Sequence, residues 1–389
     1  MDRHYPSNET EFRQRFPGEK SIHSIPQSNA EASGSRWGLI HLEACRVILK
    51  KPSTRLNVLE SYYDRAQNHF NNLPADIPAS LRAVSRKDLQ EYPSAQLRQM
   101  GGYFGAFYSR LADLTRMPKP EPQSQTRPRR DIHQTDHSDY VTGEGYSPLH
   151  GTESSQESSQ EFQSSSYSDS TDGPVNRSDH ERRVKHETVT VTMATEFIST
   201  VLDICCDQSN PNSKIEFTSA PQEYTYECPS FISTCQDDGS FFRLNKDLQY
   251  KTWYREQSSL AIVECKAQYT SWNEDEDTPH VSDNVLAQQV CEIISSKSRL
   301  FDTLGEDEES ERKIPIFLLS IHQSSMTFIY CTIDNNYIKY LQSIERPPTL
   351  PFLTVHSSSA FDLESRNHRV EAAIAIICLV YHLNDQDEL

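Results

Sequence analysis

The chain has 389 residues, 38 Lys and Arg against 56 Asp and Glu, and a formal net charge of −18. Only 35% of residues are hydrophobic and the mean hydropathy is −0.70, so long polar tracts dilute a smaller globular part. No apolar run approaches the ~20 residues of a membrane span, and the opening residues lack the apolar stretch of a secretory signal, so an intracellular protein of the nucleus or cytoplasm is expected, neither secreted nor membrane-bound.

Residues 1–35 are polar and interspersed with Pro, Ser, Asn and Gly, which predicts a disordered opening. From Trp37 apolar residues recur at helical spacing through Leu39, Leu42 and Ile48, and Pro52 ends that helix. Further amphipathic stretches run over 56–70, 81–92 and 97–114. Together they predict a small helical module over 36–116, whose faces serve packing or contact with a protein partner. Residues 117–186 include SSQESSQEFQSSSYSDSTDG, which is nearly free of aliphatic side chains and reads as a disordered Ser/Gln-rich linker. Within it, Arg127, Arg129 and Arg130 form a short basic cluster, more often plain solvated charge than an import signal.

From residue 187 the pattern becomes that of a globular domain reaching residue 389. A helix is predicted over 189–206, short strands at 214–218, 223–228 and 240–244, and a buried strand over 260–267. A helix follows at 284–296, then two strands at 314–321 and 326–333 with a turn between, a strand near 352–356 and an apolar closing helix over 370–383. Strands interleaved with helices predict an α/β fold with helices on the faces of a sheet.

Nine cysteines are scattered without a CxxC pair, and Cys205 and Cys206 are adjacent, which fits reduced thiols and speaks against a zinc site. By count, residues 188–389 carry about −17 of the net charge, which opposes a broad nucleic-acid surface.

The segment Leu260-Ala261-Ile262-Val263-Glu264-Cys265-Lys266-Ala267 is where the chemistry concentrates. A continuous apolar run suits a strand covered on both faces, and alternation puts Glu264 and Lys266 on the same side. Charges at the end of such a strand must pair with each other, emerge at an edge, or be compensated by a bound ion. A structural ion pair is the plain reading of an E-x-K triplet taken alone. Upstream lies the acidic turn Asp237-Asp238-Gly239, and downstream a helix carries Gln288 and Glu292 four residues apart on one face.

An acid, then E-x-K on a strand, then a helix presenting Gln: this order resembles the fungal PD-(D/E)XK nuclease-like domain proteins, of the restriction-endonuclease-like superfamily. The resembling stretches are ATEFISTVLDIC, QDDGSFF, LAIVECKAQY, SDNVLAQQVCEII and the hairpin IPIFLLSIHQSSMTFIYCTID with YIKYL after it, about 190–385 in all. The resemblance implies a central mixed sheet flanked by helices and metal-assisted hydrolysis of phosphodiester bonds in DNA or RNA. It implies Mg²⁺ or Mn²⁺ on Asp238 and Glu264, Lys266 orienting water or neutralising the transition state, and Gln288 steadying the site. It also matches Glu196, in Thr195-Glu196-Phe197, to an acid in the first helix, although the helical wheel puts Glu196 opposite the stripe of Ala194, Ile198, Val201 and Cys205. The turn leaves Asp237 open as an alternative to Asp238.

Two functions follow: a nuclease, or a catalytically inactive binding or scaffolding protein on the same fold. Arg243, Lys246, Lys251 and Arg255 are the visible cations that a phosphate groove near the E-x-K strand would use.

Overall fold

The computed structural model describes residues 5–18, 20–117, 177–206, 210–247, 249–256, 258–266, 271–273, 278–280, 282–298 and 313–385. The chain divides into two units, residues 1–121 together with 175–389, and residues 122–174. The second unit, with the basic cluster and most of the expected linker, lies outside the described residues.

The N-terminal part contributes α1 (Glu9–Arg15), α2 (Gln27–Ala30), α3 (Leu39–Ala44), β1 (Val47–Leu49), α4 (Glu60–Asn71), α5 (Asp76–Arg82), α6 (Arg86–Glu91), α7 (Ser94–Met100) and α8 (Gly105–Arg116). Next come α9 (Arg177–Thr200), extended by a π-helical turn over Val201–Cys205, and the strands β2 (Ser213–Thr218), β3 (Glu223–Cys228), β4 (Phe231–Gln236), β5 (Gly239–Lys246), β6 (Trp253–Arg255) and β7 (Ala261–Lys266). Beyond these lie β8 (Ser271–Asn273), β9 (Thr278–His280), α10 (Asp283–Ser296), β10 (Lys313–His322) and β11 (Ser325–Asp334). The chain continues through α11 (Asn335–Gln342), β12 (Leu353–Ser357) and β13 (Phe361–Asp362) to α12 (Arg366–Asp385).

A mixed sheet in the order β1-β12-β11-β10-β7-β5-β2 organises the fold, with β6 beside β5 and β13 beside β11. β2, β5 and β7 pair antiparallel, whereas β7 and β10 pair parallel, with α10 in the connection between them. Every residue of β7 is buried, as its near-continuous apolar run requires. Its alternation separates two cores. Ala261, Val263 and Cys265 pack with α9, α12 and the helices of residues 56–114, while Ile262 faces the core that contains α10 and α11. The α/β class and the helix-flanked mixed sheet expected from the sequence are therefore present.

Three expectations are corrected. First, residues 5–35 are not a disordered tail: Tyr5, Phe12, Phe16 and Ile22 are buried in the second core. Phe12 packs edge-on against Phe16 at 4.9 Å and Phe352 at 5.2 Å, and the Arg46 guanidinium lies 3.9 Å from the Phe352 ring centre. A few well-spaced aromatics anchor a segment that is polar on average. Second, residues 36–116 do not form a module apart from the sheet. Arg369 on α12 is fully buried and donates to the carbonyls of Leu81 (3.0 Å), Leu363 (2.8 Å) and Val84, stapling α12 to the α5–α6 segment. Third, residues 45–49 are not helical. Arg46, at φ 53°, leaves the helical region, and Val47–Leu49 joins the sheet as a parallel strand on β12.

The helix α9 begins well before residue 187. Its stretch Lys185–Cys205 is long and apolar enough by composition to cross a membrane, but Met193, Ala194, Phe197, Ile198 and Val201 are all buried in the first core.

Two consequences are measurable. Phe12→Ala should lower stability by about 3–5 kcal/mol in urea denaturation, because it opens a cavity among aromatic rings; a disordered tail would show no change. At the end of α10, Lys297 is buried, its ammonium donates to the Ser259 carbonyl, and desolvation depresses its pKa from 10.5 to about 8. The unfolded chain therefore binds the extra proton between those values, so this group makes stability rise with pH from about 8 to 10.5. Lys297→Met should remove that rise and add about 1–3 kcal/mol at pH 7, read by denaturation across the window.

Candidate functional site

The site forms where β7 ends. Gly239 starts β5 at φ 156°, and a Cβ there would come within 2.6 Å of the Thr218 carbonyl oxygen, so the tight turn after Asp238 requires glycine. The turn docks Asp238 on β7 twice. Its N–H donates to the Val263 carbonyl at 3.0 Å, and its Oδ2 accepts from the Cys265 N–H at 2.7 Å. The open choice between the two aspartates is thereby resolved. Asp237 turns away, accepting from the Gln222 N–H at 2.8 Å and the Tyr224 hydroxyl at 2.7 Å, and burial lifts its pKa to about 7.

Glu264 and Lys266 share a face and form an ion pair with each other. Glu264 is fully buried, and Lys266 exposes only its tip. The Asp238 carboxyl is within hydrogen-bonding reach of Glu264 and feels the Lys266 ammonium. Gln288, on the face of α10 that meets the sheet, donates from Nε2 to Glu264 Oε1 at 2.6 Å. Asp238, Glu264, Lys266 and Gln288 are thus brought together at the end of β7.

Glu196 is not part of this group. It is half-exposed on α9, and the acid from that helix that reaches the site is Glu187, whose Oε1 lies 3.7 Å from Lys266 Nζ. The two are nine residues apart, roughly 13–14 Å of helix. Placing the start of the helix near residue 189 hid Glu187; the signal that could have found it was the helical pattern continuing upstream into the polar segment.

Other participants become visible only through strand pairing. Ser320 pairs with Glu264 and His322 with Lys266 in the β7–β10 register. The Ser320 hydroxyl accepts from Gln289 Nε2 at 2.7 Å and lies 3.0 Å from His322 Nε2, which explains a second glutamine at a buried position of α10.

The electrostatics are dominated by burial of acids. Desolvation is the largest influence on Glu187, Asp238 and Glu264, and raises the pKa of each, while the Lys266 ammonium opposes it in every case. One ammonium thus faces three carboxyl groups among the described residues, and burial favours the neutral form of each. As they stand, no three His, Cys, Asp or Glu side chains among the described residues are grouped to hold a metal ion.

The expected cationic groove does not assemble beside this site. Arg243 is buried and donates to the Leu383 carbonyl at 2.8 Å, capping the end of α12. Lys246 is eight residues along from Asp238, roughly 26 Å of strand, and leans on Trp253. Arg255 comes nearer, lying over Phe242 with Nη2 3.3 Å from the Ser240 hydroxyl.

Lys266→Met would leave those carboxyl groups uncompensated. It should cost about 2–4 kcal/mol at pH 8, with the deficit shrinking toward pH 6 as the acids take up protons. Glu196→Gln should stay within about 0.5 kcal/mol at either pH. Urea denaturation of the two variants at both pH values checks both statements.

No protein-family model matches this chain, and no curated protein is similar to it.

Proposed function

We propose that the chain is a metal-dependent nuclease of PD-(D/E)XK type, hydrolysing phosphodiester bonds of DNA or RNA with Mg²⁺ or Mn²⁺. The observation that carries this reading is the meeting of Asp238, Glu264, Lys266 and Gln288 at the end of the buried strand β7, delivered by three separate stretches of chain.

The residues fit a hard divalent cation in chemistry. Burial holds Glu187, Asp238 and Glu264 at raised pKa with a single ammonium among them, so added positive charge would favour their ionised forms. Asp238 and Glu264 would be the protein ligands, and two carboxylates suffice for Mg²⁺, which keeps several waters and takes substrate phosphate oxygens as well. When bound, such an ion lowers the pKa of a water and stabilises charge on the phosphate.

The rest falls to the chain itself. Asp238 is held by the Cys265 N–H, so its carboxylate has little freedom to swing away. Lys266 lies against Glu264 and Glu187, and with a phosphate present its ammonium is the group at hand to orient the attacking water and offset the extra charge of the transition state. Gln288 restrains Glu264 from the helix side. The buried surroundings strengthen each of these interactions by lowering the local dielectric. The acidic balance of the domain favours a locally delivered substrate over wide electrostatic capture, and of the expected cations Arg243 is engaged at a helix end and Lys246 at Trp253.

The test is cleavage of labelled single- and double-stranded DNA and RNA with Mg²⁺ or Mn²⁺. Lys266→Ala should reduce the rate by about 100-fold or more, and Glu264→Ala should weaken Mn²⁺ binding in calorimetry. Absence of cleavage of every substrate with either ion, together with no Mn²⁺ binding, would overturn the nuclease and leave the binding or scaffolding protein.

A further inference from the structure

Glu292 is a buried acid that the chemistry above does not use. It lies one turn beyond Gln288 on α10, with no exposed surface. The Gln288 amide nitrogen donates to two carboxyl groups, Glu264 Oε1 at 2.6 Å and Glu292 Oε1 at 2.9 Å. Glu292 Oε2 is buried and has no hydrogen-bond partner among the described residues.

This arrangement is costly. Leaving a polar atom dry and unpaired destabilises the fold, and an aliphatic side chain at position 292 would avoid that penalty. What the carboxyl does supply is direction. A glutamine amide can present either its NH₂ or its oxygen to Glu264, and only the NH₂ restrains a carboxylate. With Glu292 Oε1 accepting the second N–H, both amide hydrogens of Gln288 go to acid oxygens, and the flipped amide would give up both of these hydrogen bonds. Glu292 therefore keeps Gln288 a donor.

We propose that Glu292 is a positioning residue that locks the Gln288 amide as a donor onto Glu264 and so aims the Glu264 carboxylate at the cation. The inference rests on the proposed metal-dependent nuclease, and it assigns Glu292 no contact with metal or substrate. It predicts that the residue lowers stability while raising metal affinity, which a residue serving the core alone would not do.

The experiment titrates Mn²⁺ into the full chain by calorimetry, with the melting temperature measured on the same samples. Glu292→Leu should bind Mn²⁺ about 10-fold more weakly, the size expected for loss of a group that orients a ligand, while melting at or above the wild-type temperature. Glu292→Gln keeps an acceptor for the Gln288 N–H and should stay within about 2-fold in affinity. Because Glu292 acts through Gln288, the Gln288→Met/Glu292→Leu double variant should bind no more weakly than Gln288→Met alone. A folded Glu292→Leu protein with wild-type affinity overturns the inference and leaves the nuclease reading standing. If Glu292→Leu fails to fold, Glu292→Gln with affinity lowered as far as in Gln288→Met, or losses that add in a Glu292→Gln/Gln288→Met double variant, overturns it equally. A wild-type protein that binds no Mn²⁺ removes the nuclease reading and the inference with it.

Discussion

The structure turns on a charged pair at the end of its most buried strand. Glu264 and Lys266 share one face of β7, every residue of which is buried. A lone charge there would be prohibitive, so the surroundings are built to answer it: the aspartate turn docked on the strand backbone, the amide of Gln288 from α10, and Glu187 from α9. Each of these comes from a different part of the chain, and each therefore demands that the sheet and its two helix layers be in register. The site and the fold are one constraint seen from two sides.

That constraint also explains why the N-terminal residues belong to the same unit. The sheet has two faces, and the C-terminal half of the chain does not cover them alone. Helices of residues 56–114 pack with α9 and α12 on one face, and the segment from Tyr5 to Leu42 packs with α10 and α11 on the other. Arg369 shows how firm the join is. Its guanidinium donates to the carbonyls of Leu81 at the end of α5, Val84 between α5 and α6, and Leu363 before α12, a spread that suits a planar five-donor group. Burial lowers its pKa, and these hydrogen bonds replace the water it has lost.

Electrostatics separate the centre from the surroundings. Burial suppresses ionisation of several acids around one ammonium, which is the kind of perturbation that gathers at functional sites, although structural ion pairs produce it too. The cations that looked like a groove in one dimension disperse in three, since β5 carries Lys246 away from the site while Arg243 turns inward to a helix end. Charge along a chain is a poor guide to charge across a surface.

The sequence by itself determined the α/β class, the buried strand with Glu264 and Lys266 on one side, the acidic turn before it and the helix carrying Gln288. These follow from local periodicity and turn chemistry, and an apolar run of six with two charges can hardly be placed otherwise. The tertiary structure alone decided which aspartate enters the site, because Asp237 and Asp238 differ only in the direction the turn gives them. It decided that Glu187 reaches Lys266 rather than Glu196, because helix start and helix packing are non-local. It put Ser320 and His322 opposite the charged pair, since strand register depends on both partners. And it ordered residues 5–35, where four buried side chains outweigh a polar average that composition cannot see past.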